Sequence, residues 1–463
     1  MKTKLVIYQV FTRTFGNKNL TKLENGTLAE NGVGKMNDFD EEVLRRIHDF
    51  GVTHLWYTGV IRHATCTDYS PFGIPTQNLR VVKGRAGSPY AITDYYDIDP
   101  DIAVDVDARM EEFEALVDRT HTEGMKMIID FVPNHVARQY KSIAKPEGVE
   151  DLGEGDDTGK HFDAQNNFYY CPGEQLDLSG VVENVYAHDA EAYYEFPAKC
   201  TGNDRFDSHP QQNDWYETIK LNYGVDYCDA GGRSYHYHPI PSTWKKMTDI
   251  LLFWAAKGVD GFRCDMAEMV PHEFWAYATQ QVKNRYPKMI FIGEVYDPNQ
   301  YRMYIESGFD YLYDKVGMYD CIRGVMCDER PASSITREWQ QVDDIRNHML
   351  YFLENHDEQR IASDFFAGNP WKGVPGMIVS ALLQQNPVMI YAGQEFGERG
   401  MDKEGFSGQD GRSTIFDYWT NDAIYKGFFN RKALTIDEKK LSLVYQGLLR
   451  FCNREKAVRE GLT

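Results

Sequence analysis

The chain has 463 residues, with 50 Lys and Arg against 70 Asp and Glu, a formal charge of −20. That balance argues against nucleic acid or an anionic membrane as partner, because both select clustered positive charge. The 42% apolar content excludes the disordered class, and the length suits one large domain with insertions or two to three ordinary ones.

The first apolar run, Leu5–Val10, is too short for a signal-peptide core, and no run is long enough for a transmembrane helix. The chain as it stands reads as cytoplasmic, or as periplasmic or secreted where an export signal has been removed. Its cysteines, at 66, 171, 200, 228, 264, 321, 327 and 452, show no CxxC pair and no metal-ligand spacing. Free thiols are expected.

Eight short apolar runs recur: Leu5–Val10, Val52–Tyr57, Met125–Phe131, Val259–Cys264, Met289–Val295, Phe309–Tyr313, Met349–Leu353 and Pro387–Ala392. They are continuous rather than alternating, as strands buried on both faces should be. Helical patterns lie between them. Asp107–Glu123 aligns Met110, Phe113, Leu116 and Val117, with Asp107 placed as an N-cap. Ser242–Lys257 aligns Trp244, Met247, Leu251 and Trp254 and stops at Gly258, a C-cap residue. Leu441–Phe451 is the last strong helical pattern.

Strand–helix alternation repeated eight times predicts an α/β fold, a (β/α)₈ TIM barrel of parallel strands. A doubly wound open sheet is the rival, but no glycine-rich phosphate turn follows the first strand. The gap between strands three and four exceeds one crossover helix. It is rich in Tyr, His, Asp, Asn and Gly, so residues 136–240 are expected to form an irregular subdomain inserted into a barrel of residues 1–135 and 241–463.

Barrel chemistry sits where strands end. Strand three ends Asp130-Phe-Val-Pro-Asn-His135, strand four Gly261-Phe-Arg-Cys-Asp265, strand five Gly293-Glu294-Val, and strand seven Glu354-Asn-His-Asp357. One face therefore gathers carboxylates, two histidines and an arginine. Cleavage of a sugar acetal needs one carboxylate to attack the anomeric carbon and one protonated carboxyl to release the leaving oxygen. Asp265 and Glu294, on adjacent strand ends, fit those tasks. Arg263 shares a strand side with Asp265 and is expected to hold it ionised as nucleophile, leaving Glu294 protonated. Asp357 adds a third carboxylate, and His135 and His356 are placed to bond sugar hydroxyls.

These four segments resemble, in order, type and spacing, the signature regions of the alpha-amylase family of glycoside hydrolases. Ile7-Tyr8-Gln9-Val10-Phe11 and Val388-Met-Ile-Tyr-Ala-Gly-Gln-Glu395 look like the family's first and eighth strands. The resemblance implies a retaining enzyme on alpha-glucosidic bonds, with Asp265 as nucleophile, Glu294 as acid/base and Asp357 as transition-state stabiliser. It implies Arg263, His135 and His356 as ligands of the cleaved sugar, Tyr90 as the ring beneath it, and the insertion as the family's B domain. No cofactor is required for this chemistry, and the implied partner is an alpha-glucan.

Three departures stand out. Met266-Ala-Glu-Met269 lacks the Lys-His pair that many alpha-amylases carry after the nucleophile. The family's C-terminal β-sandwich is apparently missing after the last helix. Asn134 matches a frequent calcium ligand, but no partner ligands are evident, and Asp151, Glu154, Asp156 and Asp157 read as a solvated loop. A structural calcium stays open, as do an alpha-glucosidase or glucan transglycosylase on the same scaffold, a metal-dependent barrel enzyme and an inactive starch-binding protein. Tyr169, Tyr170, Tyr193 and Tyr194, with Trp215, Tyr223 and Tyr227, either line outer sugar subsites or form the insertion's local core.

Overall fold

The computed structural model describes residues 3–461; the terminal residues 1, 2, 462 and 463, which the domain division includes, lie outside the described residues. Eight parallel strands form one sheet: β1 (Val6–Phe11), β2 (His54–Thr58), β3 (Lys126–Phe131), β4 (Gly261–Cys264), β5 (Ile290–Gly293), β6 (Tyr311–Tyr313), β7 (Met349–Leu350) and β8 (Val388–Tyr391). Their hydrogen-bonded order is β7-β6-β5-β4-β3-β2-β1-β8. The two ends meet through Tyr351. Its N–H donates to the Pro387 carbonyl at 3.1 Å, and its carbonyl accepts from Met389 N–H at 2.9 Å. The sheet therefore closes into a TIM barrel, and the open-sheet alternative fails.

Seven of the eight predicted runs coincide with strands to within a few residues, and the strand cores are buried. The seventh run differs most. Only Met349–Leu350 forms a ladder with β6, and Phe352–Leu353 continue as buried coil once Tyr351 has turned to β8. Every crossover carries at least one helix, including Glu41–Asp49, Arg109–Thr122, Ser242–Ala256 and His272–Arg285, and Ile436–Arg454 follows β8.

The apolar stripes behave as their spacing predicts. Phe113, Leu116 and Val117 are buried, and so are Trp244, Met247, Leu251 and Trp254. The cap expected at Asp107 does not form. That helix begins after Ala108, and Asp107 instead donates its N–H to Asp105. Glu112, inside the first turn, accepts from the N–H groups of Val104 and Asp105 and so ties the incoming chain.

The stop at Gly258 is as expected. Gly258 has φ +92°, its N–H reaches Ala255, and Val259 N–H reaches Trp254. This pattern satisfies the last carbonyls of the helix and aims the chain into β4.

Residues 136–240 contain no helix, only short antiparallel pairs. His135–Ala137 pairs with Thr218–Lys220, Tyr170–Cys171 with Ala198–Lys199, and Val225–Asp226 with Ser234–Tyr235. The segment leaves the barrel at the C-terminal end of β3 and returns at the helix Ser242–Ala256. Among the described residues no helix is long and apolar enough to cross a membrane.

Gly258→Ala is expected to destabilise the protein by about 1–2 kcal/mol, because a Cβ in that conformation is strained and would press Val117 at 3.1 Å. Denaturant unfolding measures this; an unchanged midpoint would contradict the cap assignment.

Candidate active site

Three ladder contacts aim the central side chains. Arg263 in β4 lies level with Asp130 in β3 and Ile292 in β5. Beyond the strand ends, Asp265 N–H still donates to Phe131 at 2.9 Å, and Glu294 N–H to Cys264 at 3.2 Å. Asp265 and Glu294 thus stand side by side on adjacent strands.

Arg263 is fully buried beneath them. Its Nη1 donates to Asp265 Oδ1 at 2.8 Å and to Asp130 Oδ1 at 3.3 Å. Its Nη2 pairs with Glu294 Oε2 at 2.8 Å, and its Nε donates to the Tyr313 hydroxyl at 3.3 Å. One planar cation therefore spans both carboxylates, one on each terminal nitrogen. Glu294 is further held by Met266 N–H on Oε2 at 2.8 Å and the Tyr296 hydroxyl on Oε1 at 2.6 Å. The Met266 backbone sits at φ +42°, an uncommon conformation that turns its N–H onto Glu294.

The charge balance differs from expectation. Burial pushes the Asp265 carboxyl well above the usual range. Arg263 opposes this, while Glu294, Asp357 and Asp130 reinforce it. Burial likewise raises Asp130. Arg263 acts on Asp265 in the expected direction, but burial and the neighbouring carboxylates outweigh it.

Asp357 behaves oppositely. Burial works against its ionised form, but the contact with His356, with Arg263 and Arg412 nearby, holds its pKa at about 2. His356 Nε2 lies 3.0 Å from Asp357 Oδ2 and 2.5 Å from the Tyr90 hydroxyl. Its Nδ1 accepts from Gln9 Nε2 at 2.8 Å, which places the ring proton on Nε2, toward Asp357. Tyr90 stacks on His356 with ring centroids 5.2 Å apart and donates to Asp130 at 3.3 Å.

An open cleft of about 230 Å³ lies above this floor. Asp265, Glu294, Asp357, His135 and Tyr90 all line it. Arg263 and His356 are buried beside them and paired with the cleft carboxylates, Arg263 with Asp265 and Glu294 and His356 with Asp357. Burial, with Lys220 and Lys83 nearby, lowers His135 to about 3, so it is neutral. Its ring packs against Trp215, 5.2 Å away, which also lines the cleft.

Trp215 alone among the seven aromatics weighed from sequence faces this cleft. Tyr169, Tyr170 and Tyr223 are buried, Tyr193 and Tyr227 pack on a small apolar cluster, and Tyr194 is exposed. Gln9, Trp56, Asp130 and Tyr296 escaped assignment. Asp130 and Gln9 stood inside recognised segments, and Tyr296 follows Glu294 at the same-side spacing of a strand. Trp56, which donates to Asp130 Oδ2 at 2.9 Å, carried no signal beyond its place in a core strand.

The family's calcium does not fit at Asn134. The Lys220 ammonium bonds Asn134 Oδ1, lies 2.6 Å from Asp204 Oδ1 and donates to the Met269 carbonyl at 3.3 Å. Asn134 Nδ2 donates to Gly202. A divalent ion would meet a buried ammonium among those oxygens. The acidic loop is also not simply solvated. Asp151 accepts from Ser142 N–H, and Asp156 from the N–H groups of Asn167 and Phe168 and the Tyr170 hydroxyl. Glu154 and Asp157 are exposed, as expected. Glu268, in the departing Met266–Met269 stretch, accepts from Tyr296 and Asp297 N–H.

A closed barrel presents a carboxylate pair to an open cleft, the arrangement that glycoside hydrolases use. The model of the alpha-amylase catalytic domain matches residues 9–442, and the chain belongs to the alpha-amylase family. Alpha-amylase MalA of Haloarcula japonica is 25% identical over 401 residues, covering 85% of this chain and 44% of that protein. The cyclomaltodextrin glucanotransferase of Geobacillus stearothermophilus is 23% identical over 411 residues, covering 85% and 49%. The chain thus spans about half the length of these relatives. The solved structure of a noncanonic maltogenic alpha-amylase, AmyB of Thermotoga neapolitana, shares the fold at a TM-score of 0.59 and 19% identity, covering 98% of this chain and 78% of that one.

Lys220→Ala is expected to cost about 3 kcal/mol, since it strips a buried cation from Asn134 and Asp204. Added calcium is expected to leave the unfolding temperature of the unaltered protein where it was. A calcium-dependent rise would contradict the reading of this site.

Proposed function

We propose that this chain hydrolyses alpha-1,4-glucosidic bonds of starch-like glucans or maltooligosaccharides with retention of configuration. The observation that carries this reading is one buried guanidinium holding Asp265 and Glu294 together at the floor of an open cleft. A retaining mechanism needs such a close pair. The relatives' names, an alpha-amylase among them, support the substrate class.

In the first step Asp265 attacks the anomeric carbon. The bond to the leaving oxygen breaks, and that oxygen takes the proton of Glu294. The acid role requires Glu294 to carry a proton in the productive complex. In the second step Glu294, now a base, removes a proton from water. The hydroxide displaces Asp265 from the sugar, and the configuration is restored. Asp357, ionised and partly exposed, faces the positive charge that builds on the ring. His135 and Tyr90 supply a neutral donor and an aromatic platform. Residues 136–240 serve as the B-type subdomain, supplying His135's strand partner and Trp215 to the cleft wall.

The same intermediate passes to a sugar hydroxyl in a glucan transferase, and the name of the Geobacillus relative keeps that outcome in view. Products from maltotriose at rising concentration decide: longer oligosaccharides mark transfer, maltose and glucose mark hydrolysis. A metal-dependent mechanism is disfavoured, because Arg263 already fills the space between the carboxylates.

Asp265→Asn and Glu294→Gln are each expected to lower turnover by at least about 1,000-fold with the fold intact. Near-normal activity of either variant on maltooligosaccharides would refute the roles. Asp265→Asn also carries a stability signature. The folded-state pKa of Asp265 lies above its ordinary 3.8. Ionising it in the fold therefore loses stability as pH rises, whereas an amide has nothing to ionise. The variant is expected to melt higher than the unaltered protein at pH 7, with the gain shrinking toward pH 3.8. Scanning calorimetry across pH checks this; a lower melting temperature at neutral pH would contradict the charge balance.

A further inference from the structure

The outer half of residues 136–240 has little to hold it together. Its own apolar cluster has five buried members, Tyr169, Cys171, Leu176, Ala198 and Cys200. Its strands are two residues long at Tyr170–Cys171 and Ala198–Lys199. A core of that size falls short of what an independent fold needs, and small irregular units commonly add a covalent or metal staple.

Two of those five residues are cysteines, brought together by the hairpin. Cys171 ends one strand, level with Ala198, and Cys200 directly follows the other. Their sulfurs are 3.8 Å apart. A ring nitrogen of His161 joins them, and the three donor atoms all lie within 4.8 Å of one another. This is the one such His–Cys group among the described residues.

The spacing favours a metal between the sulfurs over a bond joining them. A disulfide needs about 2.05 Å. Two thiolates at about 2.3 Å from a tetrahedral zinc ion stand about 3.8 Å apart, which is the separation found. His161 is also oriented as a ligand should be. Its Nδ1 donates to the Tyr170 carbonyl at 2.7 Å. That bond fixes the tautomer and leaves the lone pair on Nε2, the arrangement outer-sphere carbonyls impose on metal-bound imidazoles. Two sulfurs and an imidazole select zinc over calcium or magnesium.

We propose that His161, Cys171 and Cys200 bind a structural zinc ion, with Cys228 closing the fourth position. Cys228 lies on the exposed turn after Val225–Asp226, and its thiol interacts electrostatically with both buried ones. Asp226 holds its N–H at 2.9 Å; its exposed thiol lies outside the three-atom group and must turn inward to close the site. The site ties two loops, those carrying His161 and Cys228, to the hairpin that carries Cys171 and Cys200. It also braces the cleft wall: the Cys200 carbonyl accepts from Lys220 N–H at 2.9 Å, on the strand that carries Thr218 and pairs with His135. Sequence spacing hid the site because its ligands come from separate loops, with no paired Cys motif. The proposal stands independently of the hydrolase reading.

The test uses the full chain, prepared reduced with zinc and dialysed free of loose metal. Elemental analysis is expected to find one zinc per chain, and cobalt exchanged into the site is expected to show thiolate charge-transfer and tetrahedral ligand-field bands. The Cys171→Ser, Cys200→Ser double variant is expected to hold none, and Cys228→Ser to bind at least ten-fold more weakly. Chelation is expected to lower the melting temperature of the unaltered protein and to leave that of the double variant where it was. Unaltered protein that takes up no zinc, or cobalt without thiolate bands, would overturn the proposal whether or not the variants fold. Zinc retained by the double variant, or two thiols lost to a disulfide with no metal bound, would also overturn it. Cys228→Ser with unchanged affinity would overturn the fourth ligand.

Discussion

A lone buried guanidinium is costly, and Arg263 is buried completely. The surroundings answer that cost with Asp130, Asp265 and Glu294, and with the rings of Trp56, Tyr90 and Tyr313 at 5.3–5.5 Å. The same groups that satisfy the cation are those the chemistry requires. Because the carboxylates outnumber it, the site holds stored repulsion, which a positively charged sugar relieves better than the empty cleft does.

The barrel makes this cluster possible by register. Arg263 is level with Asp130 and Ile292, so its side chain points into the barrel toward its neighbours. A slip of one residue would send it outward and bring Phe262 and Cys264 in its place. Closure at Tyr351 keeps β7 and β8 adjacent, which brings the Glu354–Asp357 turn over β1. There Gln9 reaches His356, and through it the Asp357 carboxylate is set against the pair on β4 and β5.

Much of this was legible in sequence because parallel barrel strands are buried on both faces and read as unbroken apolar runs. The Asp, Glu and His residues at their ends then stand out as polar groups where the core stops. What was not legible depends on loops meeting in space. Lys220 in the place of a cation, Asp156 tying backbone N–H groups, and the failure of Asp107 to cap its helix all follow from neighbours distant in the chain. The upward push on the Asp265 carboxyl was hidden for a related reason. One strand shows its Arg263, but only the assembled floor shows how many carboxylates share that cation.

The most direct measurement is covalent trapping. A glucosyl fluoride carrying a second fluorine on its ring slows the collapse of a glycosyl-enzyme enough for mass spectrometry. The account predicts one added sugar per chain, on the peptide that contains Asp265. A label on another carboxylate, or products released with inverted configuration and no adduct, would contradict it.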